Sequence, residues 1–173
     1  STASRIGIDI SQGQTDGTRT RSVDFWPNGM SFNGDTSDDN KLNDYEEGVW
    51  TPQIKGTTGA GTVGTYTTQT GKYIKIGRFV YLTAEVNWSS GSAGGELRIT
   101  NLPFSPATDC EGIGNAMFNN VSIGGDTANI SPYVGPANNY MYFYQSRQGT
   151  QTWNTLNYDD AGAIIMNIAF RVA

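Results

Sequence analysis

Histidine is absent from the 173-residue chain. Its absence excludes Ser-His-Asp and Cys-His catalysis, histidine-ligated metals and imidazole general bases. The single cysteine, Cys110, rules out an intramolecular disulfide and argues against a zinc cluster. It sits in "ATDCEGIG" with no basic neighbour to lower its pKa, which suits a small packing residue better than a nucleophile. No run of 18 apolar residues occurs and no charged-then-apolar leader opens the chain, so neither a membrane span nor a secretory peptide is expected. The first residue is Ser1 rather than methionine, as expected of a piece of a longer protein. Charged residues make up only 16% of the chain, with a net charge of −5 and no dense basic patch to meet a phosphate backbone, so nucleic acid is not an expected partner. Only carboxylate chemistry survives as an enzymatic route, and no cofactor is called for.

With so few charges, the surface has to be built largely from Ser, Thr, Asn, Gln and the 22 glycines. Thr, Val, Ile and Tyr recur while Lys and Glu are few, a composition suited to strands and poor for helices. Residues 1–45 hold the short snippets "RIGIDI", "RSVDFW" and "NGMSF", broken by Asn-Gly and Gly-Asp pairs, and predict a β-structured arm of hairpins. Residues 46–173 carry longer strands and predict the main domain.

Within that domain Val80, Leu82, Ala84, Val86 and Trp88 share one face of a strand, and Tyr81, Thr83, Glu85 and Asn87 share the other. "ELRITNLPF" repeats the alternation with Leu97 and Ile99. "AIIMNIAFRV" does so with Ile164, Met166, Ile168, Phe170 and Val172. Several such strands with Gly-rich turns predict an all-β antiparallel sandwich or jelly roll. Two strands are apolar or aromatic on both faces: Phe79 and Tyr81 lie opposite Val80, and Tyr140, Tyr142 and Tyr144 lie opposite Met141 and Phe143. A solvated outer face should be polar. Either a second copy of the chain covers these faces or the tyrosines tolerate exposure.

Several motifs invite a chemical reading. "GAGTVG", Gly59 to Gly64, satisfies a dinucleotide pattern but is followed by strand-like "TYTTQTG", so a hairpin loop is expected. "DTSDDN", Asp35 to Asn40, lacks the ligand spacing of a calcium loop, and Asx turns are expected there. In "QSRQGTQTWNTLNYDDAG", Arg147, Trp153, Tyr158, Asp159 and Asp160 are the groups a sugar site uses, with rings for the pyranose C–H face and polar groups for its hydroxyls. The alternative is that Trp153 and Leu156 anchor this segment to the core. The carboxylates of "DYEEG" make a poor glycosidase pair, because Glu46 and Glu47 are adjacent and point to opposite faces of an extended segment.

The string "LNDYEEGVWTP", followed by "YTTQTGKYIKIG" and "LRITNLPF", resembles the head or tip module at the ends of tailed-bacteriophage tail fibres, tailspikes and tail-needle proteins. The resemblance runs from Leu42 to Pro106 and returns at the closing "AFRVA". It implies a homotrimeric jelly-roll head on a fibrous stalk, part of the virion, which acts outside the cell by attaching to a host-surface glycan or protein. It also implies that Asp44, Tyr45, Glu46 and Glu47 form a collar where the stalk enters the head, with Trp50 beginning the first head strand. The expected function is adhesion without catalysis. Two rivals remain: a monomeric carbohydrate-binding module of a larger enzyme, and a structural trimerisation or penetration cap.

Overall fold

Alternating apolar and polar residues over as many as 12 positions leave the longer segments one face to bury, and in the computed structural model the described residues form strands and no helix. Residues 6–9, 22–37, 41–58, 64–149 and 152–173 are described. They divide into two compact units, Ser1–Glu46 with Lys75–Gly77, and Glu47–Ile74 with Arg78–Ala173.

The first unit holds a three-stranded antiparallel sheet of β1 (Ile6–Asp9), β2 (Ser22–Trp26) and β3 (Gly29–Phe32). The β2–β3 hairpin is tight, with Trp26 opposite Gly29, and the indole Nε1–H of Trp26 donates to Ser31 Oγ at 2.9 Å. Met30 and Leu42 exchange backbone hydrogen bonds of 3.0 and 2.8 Å. An Asx turn opens the acidic stretch, where the Ser37 N–H donates to Asp35 Oδ1 at 2.8 Å. Residues 38–40 of that stretch lie outside the described residues, as do residues 59–63 of "GAGTVG".

The larger sheet contains β4 (Tyr45–Trp50), β5 (Gln53–Thr58), β6 (Thr65–Ile76), β7 (Phe79–Ser89), β8 (Gly94–Thr100), β9 (Gly112–Asn119), β10 (Thr127–Val134), β11 (Tyr140–Arg147), β12 (Asn154–Thr155) and β13 (Gly162–Arg171). Its order is β4-β6-β7-β13-β9-β10-β11-β8-β5, with β12 beside β11. The sheet curls, so strands far apart in this order meet: the Ile54 N–H of β5 donates to the Tyr66 hydroxyl of β6 at 2.9 Å, and Gln69 Nε2 donates to the Pro52 carbonyl at 2.8 Å. Curling brings the inner faces of all these strands onto one core.

The inward residues are the ones the alternation assigns. Val80, Leu82, Val86, Trp88, Leu97, Ile99, Ile164 and Ile168 are fully buried, joined by Ile54, Met141, Phe143 and Leu156. Each such side chain contributes roughly 1.5–3 kcal/mol by leaving water. β13 is central, registered with β7 from Gly162↔Trp88 to Arg171↔Phe79 and with β9 from Ala163↔Asn119 to Ala169↔Ile113. Gly114 permits the second pairing, since a Cβ there would lie 1.9 Å from the Asn167 carbonyl oxygen.

Candidate functional site

The alternation that buries Met141, Phe143 and Gln145 sends Tyr140, Tyr142 and Tyr144 to the outer face of β11. β11 lies between β10 and β8, which sets Tyr142 beside Tyr133 on one side and Arg98 on the other. Cross-strand neighbours on one face are close enough to touch. The rings of Tyr140 and Tyr142 meet edge to face at 5.2 Å between centroids, and those of Tyr142 and Tyr144 at 6.1 Å. Tyr144 in turn meets Tyr133 at 5.3 Å and Trp153 at 6.0 Å. The result is a continuous aromatic row ending in an indole that is 76% exposed.

Arg98 supplies the charge. Its guanidinium carbon lies 4.5 Å from the Tyr140 ring centroid and 4.4 Å from that of Tyr142, and its Nη2 donates to the Tyr142 hydroxyl at 2.7 Å. The same Nη2 donates to Glu96 Oε2 at 3.3 Å, and Glu96 Oε1 accepts a hydrogen bond from Thr155 Oγ1 at 3.1 Å. The Tyr142 hydroxyl passes its own proton toward the Tyr140 oxygen at 3.3 Å. Burial, then that hydrogen bond to Tyr140, push the Tyr142 hydroxyl up to about 12, against a smaller downward pull from Arg98. At the edge of the row Tyr133 donates to Glu111 Oε1 at 2.8 Å; burial first, then this bond, raise its pKa.

This surface can bind by stacking and hydrogen bonding. Rings present flat apolar area at low entropic cost, and the fixed guanidinium, carboxylate and hydroxyls offer directional polar contacts. Among the described residues no three His, Cys, Asp or Glu side chains come together as a metal site.

No protein-family model and no curated protein sequence matches the chain. Among solved structures, the fold is similar to part of the Dettilon tailspike protein (gp208). The TM-score is 0.53 at 18% identity, over 72% of this chain and 23% of that one. The chain thus spans less than a quarter of that tailspike's length. At this identity the likeness establishes the all-β fold.

Of the five residues the sequence offers for a sugar site, only Trp153 joins the aromatic row. Tyr158 is a core residue: it is 9% exposed, its hydroxyl is buried, and burial raises its pKa with a further push from Asp160. Asp159 is structural in two ways, since its carboxylate accepts the Ser122 N–H and its carbonyl accepts the Trp88 indole N–H at 2.9 Å. Asp160 is exposed, and its carbonyl accepts the Gly91 N–H at 2.8 Å. These two aspartates line a shallow pocket with Asn120 and Ser122. Arg147 is half-buried, with its Nε 3.9 Å from Asp126 Oδ1.

The five residues of the implied collar lie on β4 or, for Asp44, directly before it. Within the first unit Asp44 and Glu46 both pair with Lys75, the latter at 3.4 Å, while Tyr45 is 62% exposed. In the second, Glu47 is exposed, and Trp50 is buried with its Nε1–H donating to the Thr83 carbonyl at 3.2 Å. Trp50 is therefore a core anchor of the first strand of the larger sheet. Sequence reading missed Arg98 and Tyr133 as site residues. The Tyr-x-Tyr-x-Tyr alternation was the available signal for the row, but nothing local ties Arg98 to it.

Proposed function

We propose that this chain is the host-attachment head of a phage tail protein, a homotrimer in the virion whose aromatic rows bind a glycan on the bacterial surface. The observation that carries this reading is the half-buried, outward-facing row Tyr140–Tyr142–Tyr144, ending in the exposed Trp153, with Arg98 fixed beside it, on a fold similar to part of a tailspike. Stacked rings suit the C–H faces of sugar residues in an extended chain, and the flanking Arg98, Glu96 and Thr155 suit hydroxyls. Three linked copies turn individually weak contacts into firm attachment, because the second and third contacts form at high effective concentration. Binding without cleavage is favoured because the carboxylates beside the row are already committed, Glu96 to Arg98 and Thr155 and Glu111 to the Tyr133 hydroxyl.

The test is binding of the purified chain to an array of bacterial surface polysaccharides, with a reducing-end assay run on every glycan bound. Retention that Trp153→Ala and Tyr144→Ala together abolish, with no new reducing ends, supports the reading. Loss of no binding in that variant would remove the row from attachment, and released reducing ends would make the head an enzyme.

A further inference from the structure

We infer that copies of this chain meet through the outer face of β6, β7, β13 and β9, with β4 at its edge. The inference rests on the trimeric reading above and locates its interface. The β7–β13–β9 register lays the outward residues in rows: Glu85–Ile165–Met117, then Thr83–Asn167–Asn115, then Tyr81–Ala169–Ile113. A sheet face left in water should be polar. Here Met117 is 72% exposed, Ile113 70%, Ile165 54% and Phe79 53%, and Val49 on β4 is 79% exposed. These are bulky aliphatic and aromatic groups on adjacent strands, a contiguous patch of the kind that marks a protein contact.

Size and charge both favour a second copy as the occupant. With strands about 4.8 Å apart and about 3.4 Å per residue, five strands over the length of Phe79–Asn87 project on the order of 600 Å². Protruding side chains raise the accessible area toward the roughly 800 Å² per partner of a stable association. Lys72 and Glu85 stand on this face, and among the described residues neither has an ion-pair partner within the chain, whereas Arg171 at the face's end is already held by Asp109. A facing copy supplies each with the opposite charge. Between them runs a shallow groove of about 550 Å³, lined by Lys72, Tyr81, Glu85, Asn115, Met117 and Ile165, which can receive side chains from that copy. Most of the exposed bulk here is aliphatic, Met117, Ile113, Ile165 and Val49, which offers a sugar less to stack on than the ring surfaces of β11. The tyrosine row lies on β10 and β11, with Arg98 on β8, beyond β9 in the sheet order, so packing through this face leaves the row free in every copy.

Light scattering on the whole chain tests the inference. The wild type is expected at the mass of three chains. Ile165→Glu with Met117→Glu, which sets like charges at register neighbours, is expected to reduce that mass threefold while circular dichroism stays β-rich. Tyr142→Ala is expected to remain trimeric. A monomeric wild type would sink the trimeric reading itself; a trimeric wild type with an equally trimeric double variant would overturn only this interface and move it elsewhere, the N-terminal unit included. A charge swap guards against a double variant that does not fold. Lys72→Glu and Glu85→Lys are each expected to shift the mass toward monomer, and together to restore the trimer. Failure of the pair to restore it, after each single change has weakened it, would overturn the facing-copy arrangement.

Discussion

Arg98 reaches across from β8 to donate to the hydroxyl of Tyr142 at 2.7 Å while its guanidinium carbon lies 4.4 Å from the centroid of the same ring. One side chain thereby fixes both the position of a tyrosine and the charge beside it. Cation–ring contacts at exposed sites contribute about 0.5–1 kcal/mol and a hydrogen bond about 1 kcal/mol. Arg98→Ala is expected to weaken glycan binding by about 10-fold, which corresponds to about 1.4 kcal/mol. Arg98→Lys, which keeps the charge but loses the planar fork, is expected to fall between the two. Calorimetric titration with a glycan retained on the array measures both.

The raised Tyr142 pKa carries a pH consequence. The folded value of about 12 lies above the unfolded value of 10.0, so the folded state holds its proton where the unfolded chain loses it. The associated stability is complete below pH 10 and is lost as pH rises from 10 toward 12. Ultraviolet titration of phenolate formation is expected to show several late-ionising tyrosines, Tyr133 and Tyr158 among them, and Tyr142→Phe is expected to remove one of the group. Denaturant midpoints of the wild type should fall across that pH window more steeply than those of the variant.

Trp153 and Tyr158 stand five residues apart and should respond oppositely. Trp153→Ala, at a 76% exposed position, is expected to lower glycan affinity with the melting temperature nearly unchanged. Tyr158→Ala, which empties a core position, is expected to cost about 3–5 kcal/mol of stability by analogy with other buried aromatics. Thermal melts paired with binding isotherms separate the two effects.

Gly114 tests the central pairing. A methyl group there would lie 1.9 Å from the Asn167 carbonyl oxygen and 2.8 Å from the Ile168 Cα, both backbone atoms that cannot step aside without breaking the β9–β13 register. Gly114→Ala is expected to destabilise by about 1–3 kcal/mol, the range of overpacking in a filled interior. A melting temperature equal to that of the wild type would show that β9 shifts freely on β13.

Much of the fold was legible before any coordinates. The inward residues of β7 and β13 follow from strict alternation, and the two-sided character of β7 and β11 is visible in the same strings. Strand order was not legible: the polar alternation of β8 fits beside many strands, and only the folded sheet puts it between β11 and β5. The candidate site was half legible. Trp153 and the three tyrosines are conspicuous, but Tyr158 resembles them in sequence and lies in the core, because its strand-like segment turns inward beside Gly91.

The sequence by itself determined an all-β chain without histidine chemistry, and it determined which side of each strand faces the core, because side-chain direction in an extended chain repeats every second residue. Only the tertiary structure decided that Arg98 and Tyr142, 44 residues apart, share a site, and that Met117 and Ile165 share a face. Strand partners are selected by the packing of the whole curled sheet, a global minimum over many pairings that no local pattern encodes.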